Sequence, residues 1–277
     1  MRIDAAVASA ADRLQEVSDS PRLDAEVLLA RALDLPRSYL IAHPDGVLDD
    51  ASLSRYLRAV ERRQQGVPLS YITGEKEFWS LSLAVGPGVL VPRPETELLV
   101  ELALREIPRN EYSVLDLGTG SGAIAIALAS ERRQCHIVAT DVSAGALAVA
   151  RLNAARHGLA NIEFLQGDWT APVAGRLFDL IVSNPPYVRA GDPVLDELRF
   201  EPQNALSAGC DGLDAIRILA RDCRRLLKSS GLLLLEHGAD QQEGVASILI
   251  AEEWTGIECL RDFGGRPRVT RSSLGAA

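Results

Sequence analysis

The chain has 277 residues, of which 47% are hydrophobic and 24% are charged, and its formal net charge is −9. This composition is typical of a globular protein with a large core, and it excludes disordered, collagen-like and disulfide-scaffold classes. No apolar run approaches the roughly 20 residues that span a bilayer, and the first residues lack the pattern of a signal peptide. We therefore expect a soluble, cytoplasmic protein without membrane contact. Its acidity also argues against direct DNA binding.

The four cysteines are widely spaced and include no Cys-x-x-Cys pair. This spacing argues against a zinc site or a redox motif, so we expect no bound metal. Four buried, reduced thiols are expected instead. They are Cys135, Cys210, Cys223 and Cys259.

Residues 1–70 predict a small all-α domain. Apolar residues recur at steps of three and four from Ile3 to Val17, which indicates one buried helix face. Ser20 offers a capping hydroxyl before Pro21, a residue well suited to the first position of a helix. Further helical patterns cover residues 23–35 and 50–65.

Residues 71–94 predict a β-hairpin that links two domains. Alternating and aromatic-rich sequence runs over residues 71–83, and Gly-Pro-Gly at residues 86–88 marks a turn. Pro92-Arg93-Pro94 then forms a stiff extended segment because each proline fixes its φ angle. Glu95 opens a new helix, in which Glu95 and Glu97 are expected to complement the helix dipole.

Residues 95–277 predict an α/β domain, because strand and helix patterns alternate from residue 113. The alternation favours a doubly wound, parallel sheet of seven strands with helices on both faces. Strands are predicted at 114–117, 136–140, 162–166, 180–183, 232–236, 256–260 and 268–270, and helices between them at 123–130, 144–157, 215–227 and 242–250.

A glycine-rich segment joins the first of these strands to its helix. Residues 116–122 read Asp-Leu-Gly-Thr-Gly-Ser-Gly. Glycines let the backbone turn sharply and approach a ligand, while amides at the start of the helix face it. The segment predicts an adenosine-type cofactor, although it also satisfies the dinucleotide fingerprint.

Carboxylates follow the second and third strands of the predicted sheet. Asp141 can accept hydrogen bonds from both hydroxyls of a ribose, or it can cap the next helix, a role that Ser143 could take instead. Asp168 offers an acceptor for an exocyclic amine, and Trp169 offers a flat apolar face for adenine. A core position is the alternative for Trp169.

The most informative motif is Asn184-Pro185-Pro186-Tyr187, after the fourth strand. The prolines have no N–H, so the backbone there presents acceptors. The Asn184 side-chain oxygen and the Pro185 carbonyl can receive both N–H groups of one planar NH2 group, while Tyr187 covers its face. Held this way, the nitrogen becomes pyramidal and its lone pair points at an electrophile. The motif predicts methylation of such a nitrogen by a sulfonium, with no covalent nucleophile.

With these motifs the chain resembles the peptide chain release factor N5-glutamine methyltransferases, a family of class I, Rossmann-like methyltransferases. The resemblance implies that the glutamine of the Gly-Gly-Gln loop of release factors is methylated, which modulates translation termination. It implies S-adenosyl-L-methionine as cofactor, S-adenosyl-L-homocysteine as product, and a helical domain and hairpin that grip the protein substrate. The similar segments are 24–29, 71–75, 77–79, 89–97, 116–122, 184–187, 201–202, 211–214 and 235–238.

The motifs and the resemblance together predict the site residues. Catalysis is expected from Asn184, Pro185 and Tyr187. Cofactor binding is expected from Asp116, Gly118, Thr119, Gly120, Ser121, Gly122, Asp141, Asp168, Trp169 and Asn184. Substrate binding is expected from Asn184, Pro185, Pro186, Tyr187 and Arg93, the last at the mouth of the site.

Three other functions stay open at this point. A nucleic-acid NH2 methyltransferase would share the Asn-Pro-Pro-Tyr motif, but the net charge and the missing target-recognition domain disfavour it. A nicotinamide dehydrogenase is permitted by the glycine loop, but no catalytic His–Arg–Asp set is evident. A binding module could keep the cofactor pocket without catalysis. His237, beside Glu236, is expected to be structural, and the protein is expected to be a monomer.

Overall fold

The computed structural model describes residues 1–107 and 112–275. The chain divides into two compact units, Met1–Glu75 and Lys76–Ala277. Across the described part of the chain, no helix combines the length and the apolarity that a membrane span requires.

The first unit is helical, and its helices pack their apolar stripes together around Leu14, Leu28 and Val60, which are almost fully buried. A partly buried ion pair braces it, in which Arg63 Nε lies 2.8 Å from Asp24 Oδ2. Its helices are α1 (Ile3–Leu14), α2 (Pro21–Leu33), α3 (Arg37–Ala42), α4 (Asp50–Gln64) and α5 (Leu69–Thr73).

Two local predictions for this part of the chain are wrong. Ser20 makes no capping hydrogen bond to α2, whereas Asp49 caps α4 by accepting from the Ser52 amide at 2.8 Å. Residues 71–73, predicted to be extended, belong to the helix Leu69–Thr73. Pro68 precedes this turn of helix, and Gly74, at φ 82°, ends it in a left-handed conformation that glycine adopts without strain.

A hairpin opens the second unit, with strands β1 (Glu75–Phe78) and β2 (Leu81–Ala84). Its two turn residues, Trp79 and Ser80, both have positive φ angles of 52° and 57°, as a type I′ turn requires. The Trp79 amide donates to Glu97 Oε1 at 2.8 Å, which helps to hold this strained turn. The hairpin is shorter than predicted, because residues 85–93 contain no strand.

The rest of the second unit is a seven-stranded sheet in the order β5-β4-β3-β6-β7-β9-β8. Its elements are α6 (Glu97–Glu106), β3 (Ser113–Leu117), α7 (Ala123–Glu131), β4 (His136–Asp141), α8 (Ala144–Arg156), β5 (Ile162–Gln166), β6 (Phe178–Ser183), α9 (Val194–Glu197), α10 (Asp214–Cys223), β7 (Leu227–Glu236), α11 (Gln242–Ala251), β8 (Trp254–Arg261) and β9 (Pro267–Leu274). The predicted α/β fold with seven strands is confirmed.

The prediction of a wholly parallel sheet is wrong at one edge. Strand β9 runs antiparallel to both of its neighbours, β7 and β8. Only residues 262–266 separate β8 from β9, and so short a connection permits antiparallel pairing alone, since parallel neighbours need a crossover of a dozen or more residues.

The strand order reverses between β3 and β6, and this reversal positions the site. From β3 the chain builds outward through β4 and β5, whereas from β6 it builds the other way through β7. The last residues of β3 and β6, Leu117 and Ser183, are paired in register, and Ser183 Oγ donates to the Leu117 carbonyl at 2.7 Å. The glycine loop and the Asn-Pro-Pro-Tyr motif therefore start side by side, where open α/β sheets bind ligands.

A fully buried amide on α8 ties the glycine loop to the hairpin. Asn153 Oδ1 accepts from the Ala84 amide at 2.7 Å, and Nδ2 donates to the carbonyls of Ala84 and Ser121, both at 3.0 Å. Asn153 thus satisfies both backbone groups of the last residue of β2 and fixes the loop at Ser121.

Replacing Asn153 with alanine should lower the free energy of unfolding by about 2 kcal/mol, because three hydrogen bonds are lost in a buried place. Urea denaturation followed by circular dichroism measures the effect. Asn161→Ala is the control, since that partly buried amide donates to carbonyls at longer distances of 3.1 to 3.5 Å. Equal losses for both variants would contradict a bracing role for Asn153.

The cysteines divide by burial. Cys135 and Cys223 are buried, Cys259 is partly buried and Cys210 is exposed, and all four are free thiols. The prediction of four buried thiols is therefore wrong for Cys210, which lies in the loop before α10. Within residues 1–107 and 112–275 no three metal-ligating side chains are grouped to hold an ion.

Candidate active site

A cavity of about 250 Å³ lies at the carboxyl ends of β3, β4, β5 and β6. Seven of the predicted site residues line it, namely Gly118, Gly120, Asp141, Asp168, Trp169, Asn184 and Pro186. Seven others lie outside the lining, namely Arg93, Asp116, Thr119, Ser121, Gly122, Pro185 and Tyr187. Two wall segments were not predicted, 88–90 and 202–205. The Gly-Pro-Gly turn was a signal for the first of them, but it was assigned only to the hairpin.

Hydrogen bonds to the end of the neighbouring strand, β4, hold the glycine loop in place. The amides of Gly118 and Thr119 both donate to the Thr140 carbonyl at 2.9 Å, which closes the turn after β3. Gly118, Gly120 and Gly122 have φ angles of 74°, 58° and 84°. A Cβ at Gly122 would lie 2.9 Å from Ile126 Cδ1, whereas one at Gly120 would meet no protein atom within 4 Å. Gly122 is therefore required by helix packing, and Gly120 borders open space.

Asp141 links the glycine loop to the start of α8. Its Oδ2 accepts from the Gly120 amide at 2.8 Å, and its Oδ1 accepts from the Ser143 amide at 2.9 Å. Ser143 Oγ accepts from the Ala146 amide, so Ser143 caps α8 and Asp141 does not have to. Each carboxylate oxygen keeps capacity for another hydrogen bond. Asp141 can thus bind a ligand while it orders the loop.

The indole of Trp169 forms the part of the cavity wall beside the glycine loop. Trp169 has a positive φ of 43°, and its carbonyl accepts from Thr140 Oγ1 at 3.2 Å. Its Cζ3 atom lies 3.5 Å from the position that a Cβ on Gly118 would take, which is ordinary van der Waals distance, so the ring packs beside the glycine loop. Asp168, beside it, is exposed and presents a carboxylate at the cavity.

The Asn-Pro-Pro-Tyr motif places two residues on the wall and two behind it. Asn184 and Pro186 line the cavity, and Asn184 Nδ2 donates to Thr96 Oγ1 at 3.0 Å. Pro185 is buried and Tyr187 is partly buried. Burial raises the pKa of the Tyr187 hydroxyl to about 12, so it stays protonated near neutral pH.

A buried glutamine that sequence reasoning missed holds the backbone behind Tyr187. Gln241 Nε2 donates to the Tyr187 carbonyl at 3.0 Å and to the Gly212 carbonyl at 3.3 Å, and its Oε1 accepts from the Gly238 amide at 2.8 Å. A Cβ at Gly212 would lie only 2.3 Å from the Tyr187 carbonyl oxygen. The similar segments 211–214 and 235–238 meet here, although neither had indicated a role.

Arg93 is engaged by a buried acid rather than standing on the cavity wall. Its Nη2 lies 2.5 Å from Glu201 Oε1, and Glu201 Oε2 accepts from the Val91 amide at 2.9 Å. Glu201 is only 4% exposed, and Pro202, next to it, lines the cavity. The pair fixes the 91–93 segment to the wall segment that follows α9.

Two acids and one histidine of the site region are fully buried. Burial raises the pKa of Asp116 to about 7, although its Oδ2 accepts from Thr119 Oγ1 at 2.6 Å. Burial also raises the pKa of Glu236 to about 7. Burial lowers the pKa of His237, whose Nε2 lies 2.8 Å from Thr270 Oγ1. A neutral, hydrogen-bonded His237 is consistent with the structural role that the sequence suggested.

Two features define the chain as a class I methyltransferase. One is the antiparallel strand β9 near one edge of the sheet. The other is the glycine loop beside the Asn-Pro-Pro-Tyr motif, between β3 and β6, where the strand order reverses. The crystal structure of a methyltransferase from Pyrococcus furiosus has the same fold, with a TM-score of 0.56 at 20% identity over 78% of this chain and 99% of that one. Residues 5–74 match the model of the PrmC N-terminal domain, and residues 94–209 match that of the methyltransferase small domain.

Curated relatives narrow the class to one family. The release factor glutamine methyltransferase of Vibrio cholerae is 46% identical over 272 residues, which is 97% of this chain and 95% of the relative. That of Salmonella typhimurium is 44% identical over 255 residues, 91% of this chain and 92% of the relative. The chain belongs to the release factor glutamine methyltransferase family.

Proposed function

We propose that the protein methylates the side-chain amide nitrogen, N5, of the glutamine in the Gly-Gly-Gln loop of a peptide chain release factor, and so modulates translation termination. The observation that carries this proposal is the Asn184 amide on the cavity wall, beside the glycine loop, in a chain of this family. An amide acceptor suits a planar NH2 substrate. Among the described residues that line the cavity, the only charged or thiol groups are the two carboxylates of Asp141 and Asp168.

The residues on the wall suit S-adenosyl-L-methionine, which supplies a methyl group on a positively charged sulfur. Asp141 would hold the ribose hydroxyls, Trp169 the adenine face and Asp168 its exocyclic amine. The glycine loop, 118–122, would hold the methionine part, for which the open space at Gly120 leaves room. Asp116 lies behind this loop, and its fully buried Oδ1 has no hydrogen-bond partner among the described residues. We propose no metal in this chemistry.

Within this proposal the chain acts by binding and orienting the amide. A carboxamide nitrogen is a poor nucleophile because its lone pair is delocalised into the carbonyl. Asn184 Oδ1 and the Pro185 carbonyl accept its two N–H groups, which favours a pyramidal nitrogen and a localised lone pair. These hydrogen bonds strengthen as positive charge develops on the nitrogen, so they stabilise the transition state more than the ground state. Tyr187 lies outside the lining of the cavity and is partly buried, and its covering of the amide face stays a prediction.

No strong base is needed in this scheme. A methylated amide nitrogen that carries an extra proton is very acidic, so water can take the proton. His237, beside the buried Glu236, is fully buried and its pKa is lowered, which suits a structural role.

The release factor is the proposed partner. We expect residues 1–70 and the hairpin linker, 71–94, to recognise it, and residues 95–277 to carry the methyl transfer. Because release factors work on ribosomes, we expect the reaction to take place in the cytoplasm, and we expect the enzyme to act as a monomer.

Methyl transfer from labelled S-adenosyl-L-methionine tests the proposal. The protein is incubated with an intact release factor and with the same factor carrying Gln→Ala in its Gly-Gly-Gln loop. We expect label on the first and none on the second, with a mass increase of one methyl group on the glutamine. Equal labelling of both factors, or label on RNA or DNA alone, would overturn the proposal.

A further inference from the structure

The Asn184 amide can serve an NH2 substrate only in one of its two orientations. Its oxygen and its nitrogen are similar in shape but opposite in hydrogen bonding. With Oδ1 toward the cavity it accepts from the substrate amide, whereas with Nδ2 toward the cavity it would oppose one NH2 group with another. Some feature of the fold must therefore fix which atom faces inward.

Thr96 contacts the nitrogen of this amide from behind. It ends the short 3-10 turn Pro94–Thr96, directly before α6, and it is only 4% exposed. Its Oγ1 accepts from Asn184 Nδ2 at 3.0 Å. A threonine hydroxyl that accepts one hydrogen bond still has its own proton to donate, and the direction of that proton decides whether the oxygen stays free to accept.

Glu236 is the buried acid on this side of the site, because it directly follows Leu235, which pairs in register with Ser183, the residue before Asn184. It ends β7, is fully buried, and neither carboxylate oxygen has a well-formed hydrogen bond among the described residues. Burial raises its pKa to about 7; the hydroxyls of Thr96 and Tyr187 and the charge of Arg268 on β9 offset part of this rise, whereas Glu95 adds to it. A buried carboxylate without donors is costly, so it attracts the protons of both hydroxyls.

We propose that Thr96 and Glu236 form a relay that fixes the polarity of the Asn184 amide. Glu236 accepts a hydrogen bond from the Thr96 hydroxyl, the Thr96 oxygen accepts one from Asn184 Nδ2, and Asn184 Oδ1 is directed to the substrate. A carboxylate only accepts, so it imposes this order on the whole chain of hydrogen bonds. Both are positioning residues, and their role rests on the proposed function.

The first test compares Thr96→Val with Thr96→Ser at pH 8.5, where Glu236 is ionised. Valine keeps the shape and removes the hydroxyl, whereas serine keeps the hydroxyl. For methyl transfer to the release factor, we expect Thr96→Val to lower kcat about tenfold, the effect of one orienting hydrogen bond, while KM and the Kd for S-adenosyl-L-methionine change less than about twofold. Thr96→Ser should restore kcat to within about twofold of the unmodified protein.

The second test uses Glu236→Gln, with Ser272→Ala as control. A glutamine amide can donate to Thr96 Oγ1, so it competes with Asn184 and the fixed polarity is lost. We expect a several-fold lower kcat with unchanged cofactor affinity. Ser272 is also a buried side chain without a hydrogen-bond partner among the described residues, but it lies on β9 away from Asn184, and its replacement should leave kcat unchanged.

A spectroscopic readout separates this relay from the proposed function. The side-chain NH2 protons of Asn184, assigned by their loss in Asn184→Ala, should shift upfield in Thr96→Val and stay in place in Thr96→Ser. Unchanged resonances in Thr96→Val, or a kcat equal to that of the unmodified protein, would overturn the relay. If the unmodified protein labels no release factor while the resonances shift as expected, the proposed function fails and the relay stands.

Discussion

Replacing Asn184 with alanine should lower kcat for methyl transfer by about 10²–10³-fold, the loss typical of removing one acceptor or donor that acts mainly in the transition state. The Kd for S-adenosyl-L-methionine should change less than about threefold, because the glycine loop and Asp141 do not depend on this side chain. Single-turnover kinetics with a release factor and isothermal titration calorimetry with the cofactor measure the two quantities separately.

Asn161→Ala controls for the general effect of losing an asparagine, because Asn161, directly before β5, donates to backbone carbonyls away from the cavity. It should leave kcat near that of the unmodified protein. If Asn184→Ala weakened cofactor binding as much as it slowed transfer, Asn184 would act through the fold rather than on the substrate.

Replacing Asp141 with alanine should raise the Kd for S-adenosyl-L-methionine about 100-fold. Two contributions add here. The ribose loses a charged acceptor, and the Gly120 amide loses the carboxylate that orders it at 2.8 Å. Calorimetric titration of the free enzyme gives the Kd directly.

Ser143→Ala separates ligand binding from helix capping in this experiment. It removes the cap of α8, which costs about 1 kcal/mol of stability, and leaves the Asp141 carboxylate in place. We expect a lower melting temperature with a Kd within a few-fold of the unmodified protein. A Kd for Asp141→Ala no higher than that of Ser143→Ala would remove the proposed ribose contact.

Local patterns were sufficient to predict the fold and the position of the site. Strands of the sheet are short apolar runs between glycine and helix signals, so β3 to β6 and the residues that follow them could be located from sequence alone. The same holds for the seven predicted residues on the cavity wall, because carboxyl ends of parallel strands meet at one edge. Local patterns did not predict that β9 runs antiparallel to its neighbours, because this direction depends on a connection of only five residues.

The supporting contacts were beyond sequence reasoning for a different reason. Asn153, Gln241 and Thr96 contact partners 30 to 90 positions away in the chain, such as Ala84, Tyr187 and Asn184. Their residue types are common on any surface, so nothing local distinguishes them. Arg93 shows the same limit, since the rigid Pro92-Arg93-Pro94 segment suggested a place at the mouth of the site, whereas its ion pair with Glu201, 108 positions away, is visible only in three dimensions.

The reversed strand has a consequence for how the molecule is assembled. Among the strands that the structure describes, β8 pairs with β9 alone, and β9 follows it in the chain. During synthesis, the backbone hydrogen-bonding groups of β8 therefore stay unpaired until residues 267–274 have been made and pair with β7. Deleting those eight residues would remove an inner strand rather than an edge strand. Strand β8 would lose its pairing partner, and the edge of β7 would be exposed. Such a deletion should therefore yield chains that aggregate rather than a shorter, folded enzyme.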